Sequence, residues 1–132
     1  MMKYAVLAAA VMAAVTTAAH ADGDAAAGEK VFKKCMACHA VGADAKNKVG
    51  PELNGIVGRP VASIADFKYS PAMTEFGAGG KVWDAETLHT YLADPKALVP
   101  KTKMAFAGLK KDEEILDVIA YMNQFNADGS TK

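Results

Sequence analysis

Apolar positions recur with helical spacing in three stretches of the chain. Gly28, Phe32 and Cys35 fall on one stripe at spacings of four and three, which predicts a first helix from about Asp24, whose carboxylate can cap free N–H groups, toward Cys38. Leu88, Tyr91 and Leu92 form the apolar face of a second helix, capped by Asp84 and ended by Pro95. The strongest pattern, Ile115, Val118, Ile119, Met122 and Phe125, marks the buried side of a last helix that begins near Asp112. Its first turn carries Asp112, Glu113 and Glu114, where negative charge meets the positive end of the helix dipole.

Between the first two helices, from His39 to about Ser70, the chain loses periodicity and is rich in Gly, Pro, Asn and Lys, as in KVGPELNGIVGRP. No alternating strand pattern appears, and a loop that long in a small domain is expected to wrap around something. The tail NADGSTK reads as frayed.

The start of the chain is of a different kind. Lys3, the Ala-, Val-, Leu- and Met-rich run from Ala5 to Ala19, and the small-x-small sequence Ala19-His20-Ala21 have the three zones of a secretory signal peptide. The run is short and alanine-dominated for a membrane anchor. Residues 1–21 are therefore expected to be removed, leaving one domain over residues 22–132 delivered to a periplasm. A chain of this size buries only about two-thirds of its unfolded surface, so an extra core component would help it.

Charge excludes more than it identifies. Lys and Arg number 15 against 15 Asp and Glu, so nucleic-acid binding is not indicated. Lysines nevertheless gather near positions 30–48 and 96–111, away from the acids of the first and last helix starts.

The two cysteines, Cys35 and Cys38, stand in CMACH with His39 directly after the second. At helical spacing the three side chains lie within about 100° of arc and face one way. Two such thiols can add across the two vinyl groups of a haem while the adjacent imidazole reaches the iron, and Cys-x-x-Cys-His is the specific signature of that attachment. A thioredoxin-type dithiol would sit in a βαβ pattern that is not evident. A zinc site needs a fourth ligand, for which the mature chain has only His89 beyond these three. A plain disulfide leaves His39 and the long wrap unexplained. One motif implies one haem, whose apolar body supplies the missing core.

Whether the iron's sixth position is closed decides between electron transfer and ligand chemistry. His89 reads as a surface residue, Met36 lies inside the attachment motif, and Met122 belongs to an apolar stripe. Met73 and Met104 remain open, with a lean to Met104 because its loop, held by Pro100, comes far enough along the chain to close over the haem from the other side.

The segments GEKVFKKCMACHAV, VGPELNGIVGR, FKYSPAM, VWDAETLHTYLADPKALVPKTKMAFAG and VIAYM, in that order, resemble the class I c-type cytochromes, close to the bacterial cytochromes c2 and mitochondrial cytochrome c. The resemblance implies an all-α small cytochrome c fold, about three main helices plus long loops wrapped around one covalently attached haem c. It implies Met104 as the sulfur ligand opposite His39, and Pro51 offering its carbonyl to the other ring N–H of His39. Arg59, Tyr69 and Trp83 would bond or neutralise the propionates, Tyr91 would lie near the Met104 sulfur, and Thr102 would help hold its loop. Taken alone, Trp83 and Tyr91 would be plain core and Arg59 a surface cation; the resemblance favours cofactor contacts for all three.

Gly28 and Tyr121 would mark the crossing of the first and last helices. Lys101 stands where the family usually has glycine; a left-handed backbone there would cost about 1 kcal/mol and loosen the Met104 loop. The Tyr69 to Trp83 segment is slightly longer than in mitochondrial members, leaving its path open.

The function so implied is a soluble, monomeric, non-enzymatic periplasmic electron carrier, without stable membrane insertion. Its partners would be a bc1-type complex, a terminal oxidase, a photosynthetic reaction centre or a periplasmic reductase, steered by the lysines. The rival readings are a peroxidase-like haem enzyme or gas-binding protein with a labile Met104 and, more remotely, a haem-free dithiol oxidoreductase.

Overall fold

The computed structural model describes residues 23–132 and the isolated Ala10, so the proposed signal segment lies outside the described residues. Five helices and no strand occur among them: α1 Ala25–Phe32, α2 Pro71–Phe76, α3 Ala85–Ala93, α4 Pro95–Leu98 and α5 Asp112–Met122. Two isolated antiparallel bridges, Pro60 with Val82 and Phe125 with Thr131, pin loops together. No described helix is long and apolar enough to cross a membrane.

The frame is the crossing of α1 over α5. Asp24 caps α1 by accepting from the N–H groups of Ala26 and Ala27, and its own N–H donates to Oδ1 of the buried Asp117 at 2.8 Å. At the crossing, a Cβ on Gly28 would stand 1.8 Å from Asp117 O and 2.9 Å from Tyr121 Cβ, so only glycine allows the backbones to meet there. Phe32 and Tyr121 close the contact with ring centroids 5.3 Å apart. The remaining core gathers Ile115, Val118, Ile119 and Met122 of α5 with Leu88, Tyr91 and Leu92 of α3. Packing of these apolar faces, rather than local propensity, stabilises helices this short.

Three expectations need correction, and one is extended. The first helix ends at Phe32, because Lys34 N donates to Val31 O and Cys35 N to Phe32 O, the tighter three-residue spacing that closes helix ends. Pro95 does more than stop α3: with Asp94 accepting from Ala97 N it opens the short α4, the first-turn position that proline favours. Phe125 lies beyond α5 and is half-buried, set edge-on against Tyr121 at 5.4 Å.

The tail is also folded back rather than frayed. Asp128 accepts from Ser130 N at 2.9 Å, Gly129 takes φ +84°, Lys132 N donates to Gln124 O, and Gly55 N reaches Phe125 O. A cluster of polar residues can order a tail when they satisfy one another's backbone groups, which composition alone does not reveal.

The Tyr69 to Trp83 segment takes its path through α2, where Ser70 Oγ accepts from Met73 N at 3.1 Å and Pro71 holds the first helical position. The loop from His39 to Ser70 carries no helix, as expected. It is strapped to the rest by Gly58 N to Trp83 O, Trp83 N to Arg59 O and Val61 N to Lys81 O, at 2.7, 2.8 and 2.9 Å.

Candidate functional site

The cysteine–histidine stretch forms the turn that follows α1. Cys38 N and His39 N both donate to Cys35 O, at 3.1 and 2.9 Å, so the three residues share one helical turn. Both thiols are half-buried and unbonded, with Cys35 packed against the hydrophobic core. Burial pushes the Cys35 thiol up, with Lys34 pulling the other way.

His39 lies with Nδ1 2.7 Å from Pro51 O. A carbonyl only accepts, so Nδ1 carries the proton and Nε2 the free lone pair. Burial lowers the pKa of this imidazole, more than the Pro51 bond raises it, and Arg59 adds to the lowering; it is therefore neutral near pH 7 and able to bind metal. Gly50 permits the approach, since a Cβ there would stand 2.4 Å from His39 Cε1.

Arg59 is held by Nη1 donating to Glu52 O at 2.9 Å and Asn54 O at 3.2 Å, with Glu52 Oε1 at 3.5 Å. Burial pulls its guanidinium down from the ordinary value, while Tyr69 and Glu52 act the other way. Its Nε is buried with no partner. An orphan donor on a buried cation is unfavourable alone, and a carboxylate such as a haem propionate would satisfy it. Tyr69 lies nearby, its OH accepting from Ile64 N at 3.1 Å and its ring set against Phe67 at 4.9 Å.

A second group forms across the core. Trp83 is packed between Phe76 and Tyr91, with tilted rings and centroids 5.7 and 5.0 Å away. Tyr91 OH and Thr102 Oγ1 are 2.9 Å apart, and Thr102 Oγ1 accepts from Met104 N at 3.3 Å, so α3 holds the Met104 loop directly. Met104 and Met73 are both half-buried against the core.

Lys101, in the same loop, has φ +67° and is exposed. Left-handed backbone costs a side-chain-bearing residue about 1–2 kcal/mol, partly offset by the greater unfolded-state freedom of glycine. Lys101→Gly is therefore expected to raise stability by about 0.5–1 kcal/mol. With Met104 as an iron ligand, the same change would also carry the far-red band of sulfur-bound ferric haem to higher pH, as read by denaturant midpoint and pH titration.

Sequence reading missed several polar residues that organise the loop. Asn54 is buried and bonds Gly42 twice, Oδ1 accepting from its N–H at 2.8 Å and Nδ2 donating to its carbonyl at 2.9 Å. Asn47 accepts from Glu52 N, and Glu52 Oε2 from Asn54 N. Their only signal in sequence is the density of Asn and Gly around the proline. His89, read as a surface residue, pairs with Asp112 at the start of α5.

The family model described as Cytochrome c matches residues 25–126. Among relatives, the chain is 56% identical over 104 residues to cytochrome c2 of Afifella marina, covering 79% of this chain and 84% of that one. It is 58% identical over 105 residues to cytochrome c-550 of Ancylobacter novellus, covering 80% and 98%. The solved cytochrome c2 of Rhodospirillum centenum superposes with a TM-score of 0.74 at 43% identity, covering 79% of this chain and 99% of that one. The unbonded thiols, the neutral His39 and the orphan Arg59 donor fit a haem, and the chain belongs to the cytochrome c family as a monohaem electron-transfer protein with one covalently bound haem c.

Proposed function

We propose that Cys35 and Cys38 are the attachment sulfurs and that His39 Nε2 and Met104 Sδ are the two axial ligands. The observation that carries this reading is the His39 Nδ1 to Pro51 O bond, which leaves a neutral imidazole with Nε2 free on the same turn as two unbonded thiols. Bound haem supplies an iron that exchanges single electrons, and a thioether ligand favours the ferrous state. The chain's residues do the rest. Pro51 fixes the His39 ring, Arg59 and Tyr69 meet the propionates with Trp83, and Tyr91 and Thr102 hold the methionine loop. The apolar faces of α3 and α5 exclude water, which disfavours net charge on the ferric form.

In this reading the protein performs no bond chemistry on a substrate and, after removal of residues 1–21, works in a periplasm. Lys33, Lys34, Lys46, Lys48, Lys101 and Lys103 are all exposed and flank the attachment turn or the methionine loop. They steer acidic faces of a bc1-type complex, an oxidase, a reaction centre or a reductase toward the haem edge. Oxidation of the reduced protein by such a partner is expected to slow steeply as ionic strength rises. A rate flat with salt would remove the docking role of the lysines.

A further inference from the structure

The bond between His39 and Pro51 continues beyond the carbonyl. The Pro51–Glu52 peptide accepts from His39 Nδ1 on its oxygen at 2.7 Å and donates from its N–H to Asn47 Oδ1 at 2.9 Å. Asn47 Nδ2 in turn donates to Asp66 Oδ1 at 3.2 Å. The orientation of the Asn47 amide is unambiguous, because a backbone N–H can only donate and a carboxylate can only accept. Asn47 itself is set by a tight turn, in which Lys48 N donates to Gly50 O at 2.8 Å and Lys48 Nζ to Met36 O at 3.0 Å. Gly50 N donates to Cys38 O at 2.9 Å, tying that turn to the attachment turn.

We infer that Asn47 is a positioning residue for the iron ligand: with Asp66 behind it, it holds and polarises the peptide group that accepts the proton of His39. Each bond of such a chain strengthens the next, since an N–H that donates to a good acceptor makes its own carbonyl oxygen more negative. A more negative Pro51 oxygen draws the Nδ1 proton harder and makes Nε2 a stronger donor to iron. Stronger donation favours the ferric state and lowers the potential. Asp66, an exposed carboxylate on the loop before Tyr69, closes the far end of the chain, so that loop is tied to the histidine side.

This inference rests on His39 being the ligand, and its test separates the two. Holoproteins carrying Asn47→Ala, Asn47→Asp and Asp66→Asn are compared with the parent by visible spectrum, potentiometric titration and exchange of the Glu52 amide proton. In Asn47→Ala the Glu52 amide is expected to exchange about threefold to tenfold faster, the loss of one net hydrogen bond, and the midpoint potential to rise. Asn47→Asp keeps an acceptor for Glu52 N–H but replaces the donor to Asp66 by a second carboxylate, so Glu52 protection lies between parent and Asn47→Ala and the potential falls below that of Asn47→Ala.

Asp66→Asn leaves the fold intact and raises the potential by less than Asn47→Ala does, so the test survives even if Asn47→Ala matures poorly. A spectrum that keeps histidine–methionine ligation while potential and Glu52 exchange stay at parental values in all three variants overturns the relay and leaves the ligand assignment standing. A parent spectrum without histidine ligation overturns both.

Discussion

Replacing Gly28 by valine is expected to destabilise the folded protein by about 3 kcal/mol, read as a lower denaturant midpoint at unchanged slope. Two effects of opposite sign compete at this position. Gly28 is helical, so a residue with a side chain would gain up to about 1 kcal/mol in propensity and unfolded-state entropy. Against that, a Cβ there would lie 1.8 Å from Asp117 O and 2.5 Å from Asp117 C, and a backbone carbonyl inside α5 cannot step aside as a flexible side chain can. The clash wins because relieving it moves α1 off α5, with loss of the Asp24 to Asp117 bond and the Phe32 to Tyr121 contact. A variant as stable as the parent would mean that the two helices do not cross at Gly28.

The second large effect is expected at the methionine. Met104→Ala should leave the attached haem and lower the midpoint potential, because the ferrous-favouring thioether is removed. The reduced variant should then bind carbon monoxide within the mixing time, while the parent binds it negligibly. Met73→Ala, which also alters a half-buried methionine packed on the core, is the control and should retain the far-red band. Rapid carbon monoxide binding by the parent itself would contradict Met104 as a tightly held ligand. The strained φ of Lys101 loosens the Met104 loop, and the Tyr91 to Thr102 to Met104 hydrogen bonds hold it.

Much of this architecture is legible in the order of the residues. Leu88, Tyr91 and Leu92, and Ile115, Val118, Ile119 and Met122, repeat at helical spacing because each set faces one core, and all are buried. Asp84 is readable as a cap because a carboxylate before an apolar run has few other local uses, and its Oδ1 does accept from Thr87 N at 2.7 Å. The cysteine–histidine spacing stands out because few chemistries require it.

What is not legible depends on contacts distant in sequence. Asp117 is buried in α5 because Asp24 N reaches it from 93 residues away. The tail orders because Gly55 and Phe125 meet, and α2 is short enough that only Ser70 and Pro71 signal it. Asn47 and Asn54 look alike in sequence, two asparagines of one irregular loop on either side of Pro51. One bonds the peptide behind the histidine and the other Gly42, a difference set by loop path alone.

The most direct test combines the intact mass and thiol titration of protein matured in a host competent for c-type cytochromes. Covalent attachment predicts the processed chain plus one haem, no titratable thiol at Cys35 or Cys38, and a reduced spectrum of the c type. A colourless chain with both thiols free to react would contradict it.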